Sequence, residues 1–237
     1  MKCEQYAPLF TAKYLMGPNS FLLLEELIAP CAGTIAGARV LDLGCGQGAT
    51  SLYLVKETGA KQIFSAELWT PATEIEQNFV SWGVDDCAFP IHADANALPF
   101  AENFFDAVVS VDAYHYFGRE KGFFAEKIWP LVKKGGFVCL CMPGLHEEFP
   151  GEMPALMTEW AGDEADYFHS GAWWRDVLLH GVQDAAEVDV RESAFAERAW
   201  ADWFATGHEF ALRDKEFLDR GLDSVLNFVH IVIRKAN

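Results

Sequence analysis

The chain has 237 residues, 51% of them hydrophobic, with a formal net charge of −17 at pH 7. That is enough apolar material for one independently folding core. It offers too little clustered Lys and Arg for a phosphate-backbone footprint, so nucleic acid is not an expected partner, and the acidity serves either a cationic substrate or simple solubility. No early stretch combines a basic start, an apolar run and a small-residue cleavage site, and the apolar residues of Phe21–Ile28 are too few for a membrane span and are broken by Glu25 and Glu26. Six cysteines (Cys3, Cys31, Cys45, Cys87, Cys139 and Cys141) are scattered without a C-x-x-C pair. Reduced core thiols, a cytoplasmic location and no metal site are expected.

In chain order, Tyr6–Pro18 reads as irregular. Ser20–Ala29 reads as a helix with Asn19 or Ser20 as N-cap and Pro30 just beyond its end. From Arg39, apolar runs of strand length alternate with helical segments, which predicts an α/β, doubly wound, mostly parallel sheet covered by helices. The strands are Arg39–Leu43, Gln62–Glu67, Ala88–Ala93, Phe105–Val111 and Gly136–Met142. The helical pieces between them are Ala49–Glu57, Thr70–Trp82, a turn near Asn96–Leu98, and Phe123–Leu131, with Lys133–Gly136 as a turn into the fifth strand. Beyond this lie loop formers over Pro143–Pro154, helices over Ala155–Gly162 and Ala172–His180, a sixth strand at Val188–Arg191 and a helix at Ala199–Phe204. A seventh strand, Leu226–Arg234, is apolar on both faces, as suits a strand flanked by two neighbours. The expected layout is one domain: 1–36 as an N-terminal lid and helix, 37–143 as a cofactor-binding core, 144–185 as a substrate cap inserted after the fifth strand, and 186–237 as C-terminal strands and helix.

Within VLDLGCGQGAT, residues 40–50, a glycine-rich turn joins strand to helix, letting a ligand approach the backbone and pointing helix N–H groups at it. Gly44-x-Gly46-x-x-Ala49 satisfies the dinucleotide pattern, so a nicotinamide-dependent oxidoreductase stays open at this point. Asp42, two residues before the first glycine, suits a cationic amino group better than a pyrophosphate. Glu67 ends the second strand about 20 residues past the loop, where a carboxylate accepts from ribose hydroxyls. Asp94 closes the third strand, within reach of an adenine amino group.

The motifs VLDLGCGQG (40–48), Glu67 in FSAELW, HADANALPFAENFFDAVVSVDA (92–113) and LVKKGGFVCL (131–140) resemble, in order and spacing, the class I S-adenosylmethionine-dependent methyltransferases, most closely their small-molecule branch. The resemblance covers roughly 37–142. It implies a Rossmann-like seven-stranded sheet in the order 3-2-1-4-5-7-6 with the last strand antiparallel, and S-adenosyl-L-methionine as cofactor. It further implies that Asp42 and Gly44 hold the methionine moiety and that Gly46 lies near the sugar. Glu67 then takes the ribose and Leu68 packs on the adenine. Asp94 and Ala95 meet the ring, and Val111 and Asp112 line the reacting end.

Such methyl transfer is an in-line displacement, for which orientation and water exclusion suffice unless a proton must be removed. His115, in DAYHYFG, is the candidate general base, the alternative being a residue that only shapes the cavity wall. Asp112-Ala113-Tyr114-His115 lacks the Asn/Asp-Pro-Pro-aromatic quartet of amino-methylating enzymes of DNA and protein amides. No Pro-Cys nucleophile is present, and Glu147, Glu148 and Asp112 do not form an assignable magnesium set. Substrate choice is expected from Tyr6–Asn19 and Pro143–Trp174, with Tyr6, Tyr14, Tyr116, His146 and Trp173, and also His169 and Trp174, as lid aromatics over a sulfonium. Trp173 and Trp174 cannot both point inward from one helix, and Trp200, Trp203 and Phe204 are assigned to core. The expected partner is a small-molecule methyl acceptor, with the protein a monomer or homodimer. A cofactor-binding protein without catalysis is the remaining alternative.

Overall fold

Along β1 (Arg39–Leu43), Val40 joins one hydrophobic core and Leu41 the other, because successive side chains of a strand point to opposite faces. The same alternation runs through Ala107 against Val108 and Cys139 against Leu140, so the sheet separates two cores, of 41 and 21 buried residues. The computed structural model describes residues 1–237. Its seven strands are β1, β2 (Gln62–Glu67), β3 (Ala88–His92), β4 (Phe105–Val111), β5 (Val132–Leu145), β6 (Ala185–Glu192) and β7 (Leu226–Lys235), in the order β3-β2-β1-β4-β5-β7-β6. The first five run parallel, and β7 lies antiparallel between β5 and β6. The sheet order and the antiparallel last strand agree with what the resemblance implied.

Nine α-helices accompany the sheet: α1 (Ala12–Leu15), α2 (Ser20–Ile28), α3 (Ala32–Ile35), α4 (Ala49–Thr58), α5 (Ala72–Trp82), α6 (Ala155–Ala161), α7 (Gly171–Leu179), α8 (Ala196–Phe204) and α9 (Glu209–Asp219). Asn19 caps α2, its side chain accepting from the N–H groups of Phe21 at 3.1 Å and Leu22 at 3.2 Å. Ser170 caps α7 through the Trp173 N–H.

Four segments differ from the sequence reading. The stretch before α2 is ordered by a 3-10 helix over Lys2–Leu9 and the single turn α1. Phe123–Leu131 becomes a π-type turn, Phe124–Ile128, followed by a 3-10 turn, because Pro130 supplies no N–H to continue an α ladder. Lys133–Gly136 is an irregularity inside a longer β5: Phe105 pairs with Val132 but Ala107 with Phe137, so five residues of one strand span two of the other. Helix α9 had no counterpart in the sequence reading, since EFALRDKEFLD shows only a weak apolar face.

Candidate active site

The end of β1 passes directly into the glycine loop. Gly44 has φ +77°, and a Cβ there would sit 2.3 Å from the Ala113 Cβ on the turn after β4. Gly48 has φ +89°, and a Cβ there would lie 2.4 Å from the Phe79 ring of α5. Both positions need glycine twice over, for the left-handed backbone and for the close approach. Gly48 is also the N-cap of α4 and brings no side chain to it, leaving the first-turn N–H groups available to a ligand.

Three carboxylates surround this loop. Asp42 is 1% exposed beneath it and lines no cavity; its Oδ2 accepts from the hydroxyls of Thr50 at 2.7 Å and Ser51 at 2.6 Å, which ties β1 to the first turn of α4. Its Oδ1 is buried without a partner. Burial pushes this carboxyl up to about 6 despite the two hydroxyls. Glu67 Oε2 accepts from the Gly46 N–H at 3.0 Å, and Oε1 accepts from the Trp69 N–H at 2.7 Å and the Thr70 N–H at 3.4 Å, so it joins the loop to the turn after β2. Asp94 accepts from the backbone and side-chain nitrogens of Asn96, both at 2.8 Å, which hold its carboxyl below the usual range.

Three adjoining cavities open above the strand ends. The first, about 200 Å³, is bounded by Leu43, Leu68, Asp94, Ala95 and Phe117. The second, about 130 Å³, lies over Gly44 and Gly46 and is bounded by Tyr14, Glu67, Val111 and Asp112. The third, about 340 Å³, is walled by His115, Trp160, Phe168, Trp200, Asp214 and Phe228. Tyr116 borders all three, and Asp112 and Met16 are shared by the second and third. Asp112 continues the β4 ladder through its N–H to Cys141 O at 2.8 Å, then turns at φ +56°, a left-handed conformation that Asp tolerates better than most residues. Burial first and the Asp214 charge second raise its carboxyl to about 7. No group of three or more His, Cys, Asp and Glu is arranged to hold a metal ion.

Thus Gly44, Gly46, Glu67, Leu68, Asp94, Ala95, Val111, Asp112, Tyr14 and Tyr116 come together around one connected space, with His115 on the wall of the third cavity. The imidazole of His115 is 2% exposed, its Nδ1 has no partner, and burial holds it down to about 3. Five of the seven expected lid residues lie elsewhere. Tyr6 stacks on Phe21 and donates to Glu57 at 2.7 Å near the far end of α4, because the Lys2–Leu9 helix packs along α2 rather than over the loop. His146 is drawn to Glu192, Nδ1 to Oε2 2.8 Å, on the β6 side. Trp173 stacks on His169 at 3.5 Å, and neither borders the three cavities; Trp174 is fully buried in the second core. Met16, Trp69, Trp160 and Asp214 were missed. Trp69, next to Leu68 and 68% exposed, carried the one usable signal, a large apolar residue directly after the strand-ending carboxylate.

Residues 41–140 match a family model described as a methyltransferase domain. The sterol 24-C-methyltransferase of Yarrowia lipolytica is 23% identical over 187 residues, covering 76% of this chain and 47% of the relative. The fatty-acid O-methyltransferase of Mycolicibacterium smegmatis is 30% identical over 111 residues, 44% of this chain and 36% of the relative. The chain therefore spans less than half the length of these two relatives. In fold it is similar to Haemonchus contortus phosphoethanolamine N-methyltransferase 2, a structure in complex with S-adenosyl-L-methionine, with TM-score 0.77 and 16% identity over 100% of this chain and 58% of that one. The glycine loop, the sheet order and the methyltransferase-domain match over residues 41–140 thus agree with the resemblance to class I S-adenosylmethionine-dependent methyltransferases read from the sequence.

Proposed function

We propose that this protein transfers a methyl group from S-adenosyl-L-methionine to a small-molecule acceptor. The observation that carries the reading is the junction at Asp112 and Tyr116, where the space over the glycine loop opens into a separate aromatic-walled cavity. Bound there, the cofactor supplies a methyl carbon already activated by its sulfonium.

The residues present fit that cofactor. Asp42, expected to hold the methionine end directly, is instead buried beneath the loop and outside the three cavities, so its part is to fix the first turn of α4 through the Thr50 and Ser51 hydroxyls. Glu67 Oε2 accepts one backbone N–H and keeps a lone pair for a ribose hydroxyl. Asp94 Oδ2 makes no hydrogen bond within the chain and remains for an adenine amino group, with Leu68 and Ala95 as the apolar walls. Leu68, Trp69, Tyr116 and Met16 stay between 38% and 68% exposed around the opening, apolar surface that a bound adenosyl group would cover. Val111 and Asp112 stand at the reacting end, and orientation with water exclusion is the main contribution asked of them. His115 supplies cavity wall: held near 3, it is neutral at ordinary pH and a weak base.

The nicotinamide alternative has the strand order against it, since dinucleotide folds order their strands 3-2-1-4-5-6 without the inserted antiparallel strand. The small-molecule acceptor is supported by the sterol and fatty-acid names of the two relatives and by the −17 charge, which disfavours nucleic acid. No helix is long and apolar enough to cross a membrane. A cytoplasmic location is part of the proposal, supported by six free cysteines. So is action as a monomer or homodimer. Calorimetry with S-adenosylhomocysteine and NADH, followed by a labelled-methyl screen of metabolites, tests the reading. The expected result is S-adenosylhomocysteine binding and label transfer. NADH binding alone overturns the cofactor, and cofactor binding with no acceptor in any extract returns the non-catalytic alternative.

A further inference from the structure

The third cavity differs from the other two in the chemistry of its wall. Its aromatic faces come from five places in the chain: Tyr116 after β4, Trp160 on α6, Phe168 before α7, Trp200 on α8 and Phe228 on β7. Among them stand the carboxylates of Asp112, Asp214 and Glu164. Glu159 also borders the cavity but is neutralised by Arg220, at 2.8 Å and 2.5 Å. The wall's own cation, Arg213, is exposed and already engaged, donating to the Trp160 carbonyl and lying over the Phe217 ring.

Asp214 is fixed in place by two indoles, accepting from Trp160 Nε1 and Trp203 Nε1, both at 2.9 Å. Asp112 has no such support: no side chain or backbone N–H of the protein donates to its carboxylate, which lies against Gly17, where a Cβ would come within 2.8 Å of Oδ2. The buried His115 on the same wall has an Nδ1 that no protein group satisfies, a further indication of a polar ligand. An unpartnered carboxylate, an imidazole that stays neutral and several aromatic faces are together hostile to an anion and complementary to a cation, since ring faces and carboxylates both attract positive charge.

Resting on the methyl-transfer reading, we propose that the acceptor is a basic amine, bound in this cavity as an organic ammonium ion with Asp112 as its counter-ion and no carboxylate or phosphate of its own near the nitrogen. The Asp112 carboxylate takes the ammonium proton, so that the nitrogen has a lone pair with which to accept the methyl group. The apolar remainder of the molecule lies against the aromatic walls. Burial and the neighbouring Asp214 hold the free Asp112 carboxyl near 7, and an ammonium ion beside it stabilises the ionised form. The other charged or titratable groups around Asp112 are Glu164, Glu159, Arg213, His115 and Tyr116 on the third cavity, Glu67, Tyr14 and Cys45 on the second, and Cys141 behind it on β5.

The test is calorimetry on the whole protein with three probes of similar shape, 2-phenylethylamine, 2-phenylethanol and phenylacetate, each with and without S-adenosylhomocysteine. The amine is expected to bind at least about tenfold more tightly than either other probe. Its binding at pH 6 should release close to one proton, read from the dependence of heat on buffer, and release almost none at pH 8.5. Asp112→Asn, which keeps the left-handed turn, should abolish both the preference and the proton release. Asp214→Asn should reduce the preference less.

Equal or tighter binding of the alcohol or the carboxylate overturns the inference, as does binding of none of the three when S-adenosylhomocysteine is bound. An amine preference untouched by Asp112→Asn overturns the assignment of the counter-ion. Failure of S-adenosylhomocysteine itself to bind counts instead against the underlying cofactor reading, so the two failures are distinguished within one experiment.

Discussion

The carboxylate of Glu67 accepts the Gly46 backbone N–H at 3.0 Å, so the side chain that ends β2 also sets the height of the glycine loop that follows β1. Its other oxygen binds the N–H groups of Trp69 and Thr70. One residue thereby shapes two sides of the proposed ribose site. Glu67→Ala should weaken S-adenosylhomocysteine binding by about 1–3 kcal/mol, through the lost ligand hydrogen bond and the loosened loop. An unchanged dissociation constant in calorimetry would show that the cofactor lies elsewhere.

Gly48 tests the backbone requirement separately from any side chain. A methyl group there meets Phe79 at 2.4 Å in a left-handed conformation. Gly48→Ala should cost about 1–3 kcal/mol of stability from the backbone alone, with the clash added, and should depress cofactor affinity because α4 begins at this residue. Urea unfolding and calorimetry on the same sample measure the two effects.

Asp112 links function to a pH-dependent cost. Its carboxyl is ordinarily near 3.8 and is raised to about 7 in the folded protein. The folded state therefore holds a proton that the unfolded chain releases, and the stability this provides is lost as pH rises from about 3.8 through about 7. Asp112→Asn removes that loss. The melting temperature of the variant relative to the unsubstituted protein should rise between pH 5 and pH 8.5, read by calorimetric or fluorescence melting without ligand. A difference that stays flat over that range contradicts the burial argument.

His115 is held down to about 3 by burial, with Arg119 acting in the same direction. Its ring should remain neutral between pH 5 and pH 8, so its carbon-bound proton resonances should not titrate over that interval in a nuclear magnetic resonance series. Titration near the ordinary histidine value would restore it as a general base.

Tyr6 was expected over the sulfonium and lies instead against Phe21 and Tyr53, with its hydroxyl on Glu57. Tyr6→Phe should lower stability by about 1 kcal/mol and leave S-adenosylhomocysteine affinity unaltered. A selective loss of affinity would return Tyr6 to the site.

By itself the sequence determined the parallel core and its ligand-facing edge. The apolar runs are long enough to be strands, and the loop's glycines, Asp42, Glu67 and Asp94 mark strand ends by local chemistry that needs no distant partner. The lid was legible only in part. Tyr116 stands just beyond a strand end already located, whereas Tyr14 reaches the glycine loop from α1, and the directions of Tyr6, His146 and Trp173 depend on which distant surface captures them: Phe21 with Glu57, Glu192, and His169 respectively. Only the tertiary structure joined Asp112 to Asp214, residues on different elements about a hundred positions apart. Helix α9 has no strong apolar stripe to announce it. Its placement is decided by long-range packing, with the Trp160 and Trp203 indoles converging on Asp214. The cofactor half of the site is built from local turns and could be read along the chain, while the acceptor half is assembled from segments that meet only on folding.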